Sequence, residues 1–110
     1  MTFLYLASDR MGSGDDELGR ELMVSYLREL AASEVRIDVV GCANSGIRLT
    51  TEGSKVIEYL EALQERGARI ATCGTCLDHF GRREALLIGE IGTMDRTVRI
   101  LATADRIIRP

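Results

Sequence analysis

The chain reads as an α/β protein, a small three-layer α/β/α sandwich around a mainly parallel sheet of about five strands. Three observations predict this class. Short apolar runs rich in β-branched residues alternate with longer segments whose apolar residues recur every three or four positions. The only proline, Pro110, stands last, so none of these segments is interrupted by one. There is no internal repeat, low-complexity stretch or linker, and 110 residues is the size of one domain, 1–110.

Residues 3–7, FLYLA, form the kind of apolar run a buried strand shows. In DDELGRELMVSYLRELAA, Leu18, Leu22, Met23, Tyr26, Leu27 and Leu30 fall on one helical face. Ser13 or Asp15 is placed to cap that helix. VRIDVVG at 35–41 reads as a second strand. TTEGSKVIEYLEALQERG carries a second helix through Val56, Ile57, Leu60 and Leu63, with Gly67 as its stop. ARIATC is a third strand, EALLIGEIG holds a short apolar run, TMDRTVRILATA repeats a helical pattern, and DRIIRP is a last short strand.

Strands alternating with helices imply right-handed crossovers and a parallel sheet covered on both faces. In such sheets chemistry gathers outside the carboxyl ends of the strands, where the second and third strands end on Cys42 and Cys73. The common doubly wound orders place strand one between strands two and three. That order would separate these two cysteines by two strand spacings, roughly 9–10 Å.

Composition narrows the setting. A hydrophobic fraction of 45% and a charged fraction of 28% are those of an ordinary soluble protein. Three cysteines are too few for a disulfide framework, no apolar leader opens the chain, and the reducing cytoplasm is the expected compartment. No apolar run approaches the roughly 20 residues a membrane span needs. A net charge of −3 argues against nucleic acid as a partner. Acidic side chains prevail before residue 66 and basic ones after it. Solvated surfaces account for both, and head-to-tail docking is the sharper alternative.

MGSGDD, residues 11–16, invites a phosphate-loop reading that its spacing and charge reject. Glycine would be needed where Glu17 stands, and Asp15, Asp16 and Glu17 at the helix start would repel phosphate. CANSGIRLT, residues 42–50, joins the second strand to the second helix. Asn44 and Gly46 tolerate left-handed backbone, so this turn can form a small anion-binding nest on the edge that carries Cys73.

IATCGTCLDHFG, residues 70–81, holds Cys73 and Cys76 in C-x-x-C spacing, with the only histidine, His79, three residues on. Five readings of such a cluster compete. Zinc would need Cys42, Cys73, Cys76 and His79 together, and the expected strand spacing opposes that, so no metal is assigned. A Cys42–Cys73 disulfide meets the same obstacle. A thioredoxin-style dithiol cycle usually has a long helix after the motif, whereas Gly81 follows shortly. Packing as a small hydrophobe suits Cys42 best. Nucleophilic sulfur chemistry remains, with Cys76 at a helix start, Gly74 leaving room beside Cys73, and His79 within reach of Cys76 if the segment is helical.

ASDRMGSGDDELGRELM, NSGIRLT and CGTCLDHFG, in this order over nearly the whole chain, resemble the DsrE-like domain at the carboxyl end of YedF-type proteins. The resemblance implies a protein of selenium or sulfur metabolism, sulfurtransferase-like, without a cofactor, and assembled as a homo-oligomer. It places a persulfide carrier role on Cys73, with Cys76 as second thiol. Substrate contacts are expected from Gly74, Thr75, Asn44, Ser45 and Gly46, with His79 as a modulator. Partners would be sulfur or selenium donor and acceptor proteins, among them a TusA-like protein. YedF-type chains usually carry a TusA-like domain ahead of the DsrE-like part, with which this chain begins. GTMDR also departs from the family's Asn-Met-Tyr run, keeping only Met94. The alternatives are an oligomeric binding or assembly module and a C-x-x-C dithiol oxidoreductase.

Overall fold

The computed structural model describes residues 1–110. Five strands, β1 (Thr2–Leu6), β2 (Val39–Cys42), β3 (Arg69–Cys73), β4 (Glu90–Gly92) and β5 (Arg106–Ile108), pair in parallel in the order β4-β3-β2-β1-β5. The helices are α1 (Asp16–Ala32), α2 (Ile57–Glu65), α3 (Gly74–His79) and α4 (Met94–Thr103), with short 3-10 turns at Asn44–Leu49 and Arg83–Ala85. Each expected strand and helix is present. The α1 start is capped by Asp15, whose carboxylate accepts the Leu18 N–H at 2.8 Å, and not by Ser13.

The strand order corrects one expectation. β1 does not lie between β2 and β3; those two are neighbours, and Cys42 stands opposite Thr72 in their register. Cys42 and Cys73 are therefore kept apart by the pleat, not by an intervening strand. Thr72 shares the face of Cys42, so the next residue, Cys73, turns to the opposite face.

The same order explains why the two faces are covered unequally. Successive steps from β1 to β4 run in one direction, and right-handed crossovers put α1 and α2 on one face. The step from β4 back to β5 reverses direction and sends α4 alone to the other. On the first face Leu4, Leu6, Val40, Cys42 and Ile70 pack with Met23, Leu27 and Leu30 of α1 and Leu60 and Leu63 of α2. Each such aliphatic side chain contributes about 1.5–3 kcal/mol by leaving water. On the second face Phe3 is buried and stacked on Tyr5 with ring centroids 5.4 Å apart, while Tyr5, Val39, Gly41, Ala71 and Cys73 are only partly covered. α4 buries none of its own residues.

A candidate dithiol site at the end of strand three

Cys73 is the last residue of β3 and also the N-cap of α3. Its sulfur takes the place of the usual cap oxygen, accepting the Cys76 N–H at 3.4 Å. Cys76 lies in the first turn of α3, and its own sulfur accepts the Asn44 N–H at 3.1 Å. The two thiols thus meet within a single turn, each aimed at by a backbone donor. Both are partly exposed.

The Asn44 donor is held in place by the turn expected to form a nest. Asn44 adopts φ of 51°, the left-handed conformation that asparagine tolerates. Gly46 serves differently from its expected role. A Cβ there would stand 2.0 Å from the Leu6 carbonyl oxygen, so only glycine lets the turn press against the end of β1. Ser45 completes the lock by accepting the Asp9 N–H on its Oγ at 3.1 Å. The sulfur of Cys76 receives one backbone donor from this turn, the Asn44 N–H, while the Gly46 N–H bonds the Ala43 carbonyl.

Two other expectations change with the geometry. The room expected beside Cys73 at Gly74 is filled by protein. A Cβ on Gly74 would meet Ile91 at 2.9 Å and Arg83 at 3.2 Å. His79 is exposed, stands edge-on to Phe80 at 5.1 Å, and makes no hydrogen bond to either thiol. Thr75 is exposed at the start of α3. No group of three His, Cys, Asp or Glu side chains comes together as a metal ion would require.

Electrostatics separate the thiols. Burial raises the pKa of Cys76 above the ordinary thiol value; the neighbouring Cys73 sulfur adds to this, and the Asn44 N–H opposes it. Cys42 is sealed among apolar side chains, which pushes its thiol up to about 12. It is a core residue with no thiolate to offer near neutrality.

The sequence left several contributors unmarked. Between the second sheet face and α4 lies a hollow of about 230 Å³, lined by Cys73 together with Gly41, Ala71, Gly92, Arg96 and Ile100 among others. Asp9, at the carboxyl edge of β1, is buried and held by Arg10 at 3.5 Å and Arg20 at 3.4 Å. The buried hydroxyls of Thr50 and Thr72 bond at 2.7 Å and tie the loop to the residue before Cys73. None of these carried a local signal, because each depends on elements distant along the chain.

A parallel α/β sandwich ending one strand in a paired thiol site is the class of protein that fold and site define together. A family model described as "DsrE/DsrF-like family" matches residues 35–110. The chain belongs to the DsrE/DsrF-like family. Membership implies, in general terms, a function of the sulfur-relay type. Two solved structures share the fold. One is a protein of unknown function, MTH1491, from Methanobacterium thermoautotrophicum: 24% identity, 99% of this chain and 97% of that one covered, TM-score 0.68. The other is the ychN protein from E. coli: 15% identity, 99% and 98% covered, TM-score 0.62. No curated protein is similar enough to match the chain. No helix is long and apolar enough to cross a membrane.

Proposed function

We propose that the protein is a cytoplasmic sulfur (or selenium) carrier that holds sulfane sulfur as a persulfide on Cys73 and passes it to an acceptor thiol. The observation carrying this reading is the pairing of Cys73 and Cys76 within one turn, each sulfur accepting a backbone N–H and Cys73 opening onto a hollow.

The Cys73 thiolate attacks the outer sulfur of a donor persulfide, R–S–SH. The donor's S–S bond breaks, R–S⁻ departs with the electron pair, and a new S–S bond leaves Cys73 as the persulfide. An acceptor thiolate repeats the exchange on that outer sulfur and releases the Cys73 thiolate. One S–S bond replaces another at each step, so no external oxidant or reductant is consumed. Cys76, kept protonated by burial, donates its S–H to the persulfide anion. In a second outcome Cys76 passes its proton to the outer sulfur as its own sulfur attacks the inner one, forming the Cys73–Cys76 disulfide and expelling HS⁻. The sulfane sulfur is then reduced at the expense of two thiols, which a dithiol reductant restores.

Donors and acceptors include proteins, with a TusA-like protein as the first candidate. The test is intact mass after incubation with a sulfane donor. Wild type gains one sulfur that Cys73→Ala does not; equal loading of the two proteins overturns the assignment.

A second reading, an oligomeric assembly module, draws on α4. Met94, Val98 and Leu101 recur on one stripe of that helix and are exposed. Sedimentation of wild type against Val98→Glu measures whether copies associate through it. If they do, and if replacing Cys73 and Cys76 by serine leaves a complementing host unaffected, assembly displaces sulfur transfer as the function.

A further inference from the structure

The hollow beneath α4 has a distinct chemistry at each end. Where β3 finishes, Cys73 forms its wall opposite Gly92 of β4. Two residues back along the same strands, Ala71 stands opposite Glu90, and there the wall turns ionic. Arg69 holds Glu90 at 2.8 Å, whereas Arg96 approaches that carboxylate only to 3.9 Å. Glu90 is thus already satisfied by Arg69, and the guanidinium of Arg96 keeps donors to spare. Along β3 and β4 the backbone rise between these two levels is about 7 Å. The floor includes Gly41, Ala71 and Gly92, with little or no side chain, beside Phe3, Tyr5 and Val39, and the roof includes Ile100.

Size sets what fits. A cavity of about 150 Å³ lined by aliphatic side chains accepts a benzene ring. This one, at about 230 Å³, has room for a short chain with a polar head at either end. An occupant that satisfies both ends carries sulfur at one terminus, an anion at the other, and a few methylenes between.

We propose that the hollow beneath α4 binds a small mercaptocarboxylate or its persulfide, with the carboxylate at Arg96 and the sulfur at Cys73. This rests on the persulfide reading of Cys73 and names the small molecule that exchanges sulfur there. In the exchange, the mercaptocarboxylate thiolate attacks the outer sulfur of the Cys73 persulfide. The S–S bond to Cys73 breaks, Cys73 leaves as thiolate, and the sulfur departs as the carboxylate's persulfide; the reverse reaction loads Cys73. Arg96 acts as a binding residue, and the apolar floor selects chain length.

Affinity labelling tests the pocket without any persulfide. ω-Bromovalerate alkylates a thiolate with loss of bromide, and its amide is a neutral analogue of equal length. Wild type is expected to react with the acid at Cys73, mapped by peptide mass, with a rate that saturates and that valerate suppresses. The amide should show no saturation. Arg96→Gln, a change at an exposed side chain, should lower the efficiency with the acid about ten-fold, the worth of one charge-assisted hydrogen bond. Thr97→Met, which fills the hollow from α4, should weaken labelling by the acid and the amide alike. Unsaturable labelling that is equal for acid and amide and unchanged in Arg96→Gln overturns the pocket even if Cys73 accepts sulfane sulfur. Saturable labelling in a protein that accepts no sulfane sulfur upholds the pocket and removes the persulfide reading. Labelling that falls as protein concentration rises, in step with self-association, means that a second copy occupies the hollow and also overturns the proposal.

Discussion

The two faces of one sheet are built from alternate residues of the same strands, and they behave as different materials. On one face Leu4, Val40 and Ile70 are sealed beneath α1 and α2. On the other Tyr5, Gly41 and Ala71 lie half-covered under α4. The cysteines make the contrast chemical. Cys42 and Cys73 end adjacent strands, yet one thiol is pushed up to about 12 by burial and the other caps a helix at the wall of a hollow. One residue of register decides which sulfur can react.

The widest gap is expected in thiol reactivity. In the native protein iodoacetamide should modify the partly exposed Cys73 and, slowed by its raised pKa, Cys76, while Cys42 reacts only through unfolding, slower by about three orders of magnitude or more. Mass-resolved alkylation measures this, and comparable rates at Cys42 and Cys73 would erase the distinction between the faces.

Packing should follow the same division. Leu60→Ala, on the sealed face, is expected to cost about 2–5 kcal/mol in denaturant unfolding. Ile100→Ala, on α4, should cost well under half as much, because its site is already partly open. Gly46→Ala tests the turn that joins the faces at their rim. The new methyl would collide with the Leu6 carbonyl, costing about 1–3 kcal/mol, and the displaced Asn44 N–H should leave Cys76 titrating at still higher pH.

Alkaline pH sharpens the comparison further. The folded-state pKa of Cys42, about 12, lies above its ordinary value of 9.0. Its contribution to stability is therefore whole below the unfolded value and is lost as pH rises toward the folded one. By about pH 10.5 wild type should have lost about 2 kcal/mol that Cys42→Ala does not lose. Parallel stability curves for the two proteins would contradict the burial of that thiol. At the small end, Val98→Ser on the exposed stripe should move monomer stability by no more than about 0.5 kcal/mol.

Local pattern alone placed the strands and longer helices, although β2 begins at Val39 rather than Val35 and Asn44–Leu49, expected as a connecting turn, is a 3-10 helix. Leu27 and Leu30 at helical spacing, Val39 and Val40 in a β-branched run, and Gly67 as a stop all act through near neighbours. The C-x-x-C pair was legible for the same reason, since one turn of helix brings the two residues together wherever it stands. The strand order was not. It depends on which strands bury each other's edges, and the assumed placement of β1 misjudged why Cys42 and Cys73 stay apart.

The amino-acid sequence by itself determined an alternating α/β chain, a thiol pair at the end of its third strand, and a turn at Asn44 able to reach left-handed geometry. Those follow from spacing and backbone preference within a few residues. Only the tertiary structure decided that β2 lies beside β3, that Asn44 donates to Cys76, that Gly74 is filled over by Ile91 and Arg83, and that Cys73 faces a hollow under a lone helix. Each of these joins residues far apart in the chain. Their meeting depends on how the whole sheet closes, and no short stretch of sequence carries that information.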